Sequence, residues 1–175
     1  PLLVERCDFT LKKFQNYLKD EFGEIAELNR LWKTSYKSFE DIPLPPEKVQ
    51  DIPIRYHWYT FRGLQIRDFF AWMKNIIREE DPVHPVHIKF IIDEFTLDEG
   101  RFGIDREALG EVTDVTGCDG GTSFPAPTAE YAGDFLTQSM FYDLLKSFQP
   151  EKPIYNSEYH IIKDNDPIHY PGNYI

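Results

Sequence analysis

The stretch Val86-His87-Ile88-Lys89-Phe90-Ile91-Ile92 constrains the fold of this chain more than any other. It is short, mostly apolar and rich in β-branched residues, the pattern of a strand covered on both faces rather than of an alternating edge hairpin. Such a strand belongs in a parallel sheet, whose members are joined by crossovers, usually helical. Helical patterns stand on either side of it. Thr10 is placed to cap a helix whose apolar positions Leu11, Phe14, Leu18 and Phe22 recur at helical spacing, with Gly23 as its stop. The stretch from Glu24 to Trp32 restarts as helix. A second, strongly aromatic helix is expected from about Tyr59 to Glu80, closed by Asp81-Pro82, with Phe61, Leu64, Phe69, Trp72, Met73, Ile76 and Ile77 on a broad apolar face that places Trp72 in the core.

Between those helices, Pro43, Pro45 and Pro46 forbid regular helix, and residues 35–57 read as a long proline-rich surface loop. Beyond the Val86 strand, a short helix is expected around Asp105 to Leu109 and a second strand over Val112 to Thr116, crowded by Gly117, Gly120 and Gly121. Gly133 or Asp134 opens a helix carrying Phe135, Leu136, Met140, Phe141, Leu144 and Leu145, with Pro150 beyond it. Lys152-Pro153-Ile154-Tyr155-Asn156-Ser157-Glu158 then reads as strand followed by functional loop. Helix and strand alternate three times, which argues for right-handed βα units in a parallel sheet. The chain has 175 residues, enough for one core but short of the roughly 250 typical of a complete (β/α)8 barrel.

Charge narrows the partners. With 19 basic against 30 acidic residues the formal net charge is -11, so nucleic-acid backbones and anionic membrane surfaces are repelled and a neutral partner fits better. Cys7 and Cys118 lack metal-ligand spacing, and His57, His84, His87, His160 and His169 do not share one face in ligand spacing, so no metal is expected. No stretch has the length of a membrane-spanning helix, and Pro1-Leu2-Leu3-Val4 lacks a signal-peptide pattern. The chain reads as soluble, with no compartment singled out, and truncation at both ends is expected.

The chemistry is expected where strands end. A carboxylate directly after a buried strand is held rigidly at the mouth of the βα loops, as nucleophilic attack on a sugar carbon requires. Glu158 meets that description, and Asn156 and His160, each two residues away, share its side in an extended stretch. Asp93 and Glu94 after the first strand and Asp119 after Cys118 are candidates for binding sugar hydroxyls, against the plainer reading of solvated carboxylates. Trp58 and Trp32 are candidate platforms for a pyranose face, against the plainer reading of packing.

A resemblance weighs on these alternatives. The run from Phe14 to Ile42, with Leu28-Asn29, Trp32, Thr34, Tyr36, Ser38 and Ile42 at fixed spacing, resembles the segment after the fourth barrel strand of family 42 β-galactosidases, in the large (β/α)8 glycosidase clan. Asp68-Phe69-Phe70 and the run from Arg78 to Val86 resemble that family's next helix and the approach to strand five. Lys152 to His160 is similar to its strand seven, which carries the nucleophilic Glu. The resemblance implies part of a (β/α)8 barrel, from just after strand four to just after strand seven, and a retaining glycoside hydrolase that needs no cofactor and acts on an oligo- or polysaccharide. It also implies a homo-oligomer, a trimer. The clan's acid/base Glu follows an Asn at the end of strand four. No Asn-Glu pair precedes Thr10, and Glu5 lacks the Asn, so the acid/base is expected upstream of Pro1 and the isolated chain is expected to be inactive. A catalytically inert carbohydrate-binding barrel and a small flavodoxin-like domain are the competing readings, the latter lacking a Gly-rich phosphate loop.

Overall fold

A computed structural model describes residues 6–46, 50–91, 104–120 and 135–159, with backbone only at 135–137. The chain divides into two compact units, residues 1–69 with 99–105, and residues 70–98 with 106–175.

In the first unit, helix α1 spans Asp8–Phe22 and helix α2 spans Ile25–Trp32. The N-cap of α1 is Cys7, so Thr10 lies inside the helix rather than capping it, and Thr10, Phe14 and Leu18 form its buried stripe. Asp8 in the first turn complements the positive end of the helix dipole, which a cap at Thr10 would have left outside the helix. Gly23 stops α1 as expected: its φ of 67° is glycine territory, and its N–H donates to Lys19 O.

The residues after α2 are ordered by polar side chains rather than by regular structure. The Asn29 amide donates to Tyr36 O at 2.9 Å, and its Oδ1 accepts from Tyr36 N and from the Thr34 hydroxyl. Gln15 donates to the carbonyls of Glu40 and Ile42, pinning a short 3-10 turn, Phe39–Asp41, onto α1. Helix α3 spans Ile52–Glu80 and so begins earlier than the expected Tyr59. Pro53 falls in the first turn, where its missing N–H has no intrahelical partner to lose, and Asp51 Oδ1 accepts from Ile54 N at 3.3 Å. The core here is aromatic: Trp58 meets the edge of Phe14 at 5.0 Å and stacks on Phe61 at 5.6 Å.

The apolar face expected of α3 divides along its length. Phe61 and Ile66 are buried, whereas Phe69, Ile76 and Ile77 are exposed and Trp72 is 58% exposed, so Trp72 is not core in this chain. Among the described residues no helix is long and apolar enough to cross a membrane.

The second unit holds strand β1 (His87–Phe90), helix α4 (Arg106–Glu111), strand β2 (Val115–Cys118), helix α5 (Phe135–Phe148) and strand β3 (Ile154–Asn156). The strands form one parallel sheet in the order β1-β2-β3, the layout of successive βα units. Phe90 pairs with Cys118 and Cys118 with Asn156, while Lys89, Gly117 and Tyr155 lie level one residue earlier. Level residues of parallel neighbours share a face, so Lys89, Gly117 and Tyr155 stand on one side and Phe90, Cys118 and Asn156 on the other.

β2 begins at Val115 rather than Val112 because the preceding residues are otherwise engaged. Thr113 closes α4, its N–H and its hydroxyl both donating to Gly110 O. Asp114 accepts from Lys74 Nζ at 2.6 Å, from Arg78 and from Val86 N at 2.8 Å, tying the end of α3 to the start of the sheet. Lys152, before β3, donates to Gly110 O at 2.6 Å and Thr113 O at 2.7 Å, placing a cation at the C-terminal end of α4.

Candidate active site

The site lies at the C-terminal ends of the three strands, where every strand hands over to a connection. The parallel ladder continues past each formal strand end: Asp119 N donates to Phe90 O at 3.1 Å, and Ser157 N to Cys118 O at 2.9 Å. These bonds carry the ladder on to Asp119 and to Ser157, the residue before Glu158.

Glu158 follows β3 by two residues, and its carboxylate pairs with Lys89 Nζ. Lys89 also lies 3.7 Å from an oxygen of Asp119. The structure thus brings together two of the sequence candidates, Glu158 and Asp119, around an ammonium that the sequence reading did not single out. The bond to Glu158 raises the Lys89 pKa above its ordinary value, with burial opposing and Asp119 adding to the rise. Asp119 is the more enclosed carboxylate, and its Oδ1 is buried without a hydrogen-bond partner among the described residues.

Asn156 faces the other side of the sheet, toward α5. Its amide donates to Gly120 O and to the Tyr142 hydroxyl, at 2.8 Å for the latter, and its Oδ1 accepts from Glu158 N at 3.3 Å. Gln138 donates to Tyr142 at 2.9 Å and accepts from the Tyr159 hydroxyl at 3.3 Å. The loop that carries Glu158 is therefore tethered on both sides of that residue, through Asn156 and through Tyr159. An Asn two residues before a strand-end Glu was visible in the sequence, but its partners on α5 were not.

Trp32 and Trp58 belong to the first unit, each 3% exposed and packed among aromatic rings. Asp93, Glu94 and His160 lie outside the described residues. No group of three or more His, Cys, Asp or Glu residues among the described ones is arranged to hold a metal.

Lys89 was legible in one respect. A charged residue inside an otherwise apolar strand, shortly before a strand end, marks a position where a partner of opposite charge is expected.

Comparison with known proteins bears on the family and the fold. The glycoside hydrolase 42 family model, described as beta-galactosidase, matches residues 4–162. An exo-carrageenase of glycoside hydrolase family 42 from Bacteroides ovatus is similar over 84% of this chain and 22% of its own, at 30% identity and a TM-score of 0.67. A β-galactosidase from the Antarctic haloarchaeon Halorubrum lacusprofundi superposes over 95% of this chain and 26% of its own, at 21% identity and a TM-score of 0.72. One from Rahnella sp. R3 does so over 93% and 24%, at 20% identity and a TM-score of 0.72. This chain thus spans about a quarter of the length of these structures. A comparison with curated proteins finds no match. The fold is that of a part of a (β/α)8 barrel, with parallel strands and helices in alternation.

Proposed function

This chain belongs to glycoside hydrolase family 42, the β-galactosidase family, and from that premise we propose that it supplies the nucleophile of a retaining glycoside hydrolase acting on β-linked sugars, with Glu158 as that nucleophile. The observation that carries the reading is the placement of the Glu158 carboxylate. It stands just past the C-terminal end of β3, directly after Ser157, whose N–H extends the ladder, and is paired with a cation, which favours the ionised form of a carboxylate.

The reaction is a double displacement. A Glu158 oxygen attacks the anomeric carbon as the bond from that carbon to the leaving oxygen breaks, and a second carboxylic acid gives its proton to the leaving group. On this reading the second group comes from outside these 175 residues and stands roughly 5 Å from the first, as retention requires. Water, deprotonated by the same second group, then attacks the anomeric carbon of the glycosyl ester. Glu158 leaves as carboxylate, and the sugar departs with its configuration retained.

The family description supports a β-galactoside as substrate. The likeness to the exo-carrageenase supports a second reading, a carrageenan chain, because it combines the highest sequence identity of the three structures with the same family. Initial rates of the complete protein on an aryl β-galactoside and on carrageenan oligosaccharides separate the two.

The nucleophile is tested by replacing Glu158 with Gly in the complete protein. The expected loss is roughly 10⁴-fold or more in kcat. Added azide then restores turnover of an activated β-glycoside and yields the α-glycosyl azide, because azide enters on the face Glu158 has vacated. Unchanged turnover by the Glu158→Gly protein contradicts the reading.

A further inference from the structure

We propose, resting on the reading of Glu158 as nucleophile, that Lys89 is a positioning residue for that reaction, its ammonium holding the Glu158 carboxylate aimed and ionised while Asp119 anchors the ammonium from the strand between. The argument begins with strand register. Lys89 on β1, Gly117 on β2 and Tyr155 on β3 are level and share a face, and Lys89 must cross β2 to reach the loop after β3. The space over Gly117 is taken by the His87 ring, which also meets Tyr155 edge-on, and Lys89 Nζ reaches Glu158 directly.

Other groups bracket the ammonium. Asp119 lies 3.7 Å from it at the end of β2, Glu158 reaches it from the loop after β3, and His87, whose ring meets that of Tyr155, precedes it by two residues on β1. Two carboxylates against one ammonium leave the trio with an excess negative charge, so the cation is held from both sides. Ordering a lysine side chain has an entropic cost that an isolated surface pair returns only in part. The Lys89–Glu158 pair differs from an isolated surface pair in that Asp119 shares the ammonium.

The pairing matters to catalysis. The attraction that keeps the proton on Lys89 also favours the charged form of its partner, and the nucleophile must be charged. A carboxylate swung aside by an ångström loses the alignment that proximity supplies.

The test uses the complete protein, 4-nitrophenyl β-galactoside as substrate, and the variants Lys89→Met, Lys89→Gln and Lys89→Arg. Met and Gln are expected to lower kcat by roughly 10- to 100-fold with little change in KM. They are also expected to move the acidic limb of kcat/KM upward by roughly 1 pH unit. Arg restores most of both. Thermal midpoints identify a misfolded variant, and Gln carries the test if Met does not fold. In parallel, an activated 2-deoxy-2-fluoro galactoside marks the nucleophile in each variant. An unmoved acidic limb in variants whose label still falls on Glu158 overturns the role of Lys89 and leaves the nucleophile standing. A label on another residue overturns both.

Discussion

The imidazole of His87 lies against Gly117, so closely that a Cβ at that glycine would stand 2.2 Å from His87 Nδ1 and 2.6 Å from Ile88 O. The first contact is with a side chain that can turn. The second is with the backbone of β1, which cannot move without loosening the ladder.

Gly117→Ala is therefore expected to destabilise the protein by about 1–3 kcal/mol, the usual cost of overpacking. Urea unfolding measures it. Adding His87→Ala recovers only part of the loss, because Ile88 O remains in place. Full recovery in the double variant would show that the ring alone sets the constraint.

Asp114 joins α3 to the sheet. Burial pulls its pKa upward, but hydrogen bonds from Lys74 and Val86 N, with the charges of Lys74 and Arg78, bring the net value below the ordinary carboxylate range. A depressed folded pKa means that the unfolded chain binds more protons, so this stability is complete above the ordinary value of 3.8 and disappears as pH falls through the lower folded value. Asp114→Ala is expected to cost about 1–3 kcal/mol near neutral pH, leaving Val86 N and two cations without their acceptor. Chemical denaturation at neutral pH measures that cost, and its decline as pH falls below 3.8 checks the sign.

His57 gives the opposite end of the chain its own pH dependence. It is buried among the rings of Phe22, Trp32 and Tyr56, and burial depresses its pKa below 6.5, with Glu21 opposing. Protonation is therefore easier in the unfolded chain. The contribution is complete above 6.5 and is lost as pH falls below that value. Thermal midpoints on either side of 6.5 are expected to show a drop on the acid side, and His57→Phe to flatten it.

Asn156 holds the Glu158 loop. Its Oδ1 takes the Glu158 N–H and its amide is fixed by Gly120 O and Tyr142. Asn156→Ala in the complete protein is expected to lower kcat/KM by roughly 10- to 100-fold through loss of alignment. Tyr142→Phe, which leaves the Gly120 and Glu158 bonds intact, is expected to cost less. Steady-state rates on an aryl β-galactoside rank the two.

Much of this architecture was readable from residue pattern. The Gly23 stop, the end of α3 at Asp81 and the apolar run of β1 followed from local chemistry that the tertiary structure left alone. Other positions depended on partners distant in sequence. Thr10 looked like a cap because Ser and Thr favour that position, but it packs as a buried member of the α1 stripe. Pro53 fell inside the expected proline-rich loop, yet it sits in the first turn of α3, where a proline costs nothing. Gly117 looked like loop and is strand, because His87 needs the space above it. Within the site, the positions of Glu158 and Asp119 were legible as carboxylates after strands. Lys89 was hidden because its partners lie on two other strands, and only the register shows that it reaches them.

The central claim is that Glu158 is the nucleophile. The complete protein is to be inactivated with an activated 2-deoxy-2-fluoro β-galactoside, digested and sequenced by mass spectrometry, so that the trapped glycosyl ester reports which residue attacked. The account predicts one labelled peptide, spanning Lys152 to Tyr159, with the sugar on Glu158. A label on any other carboxylate, with Glu158 unmodified, contradicts it.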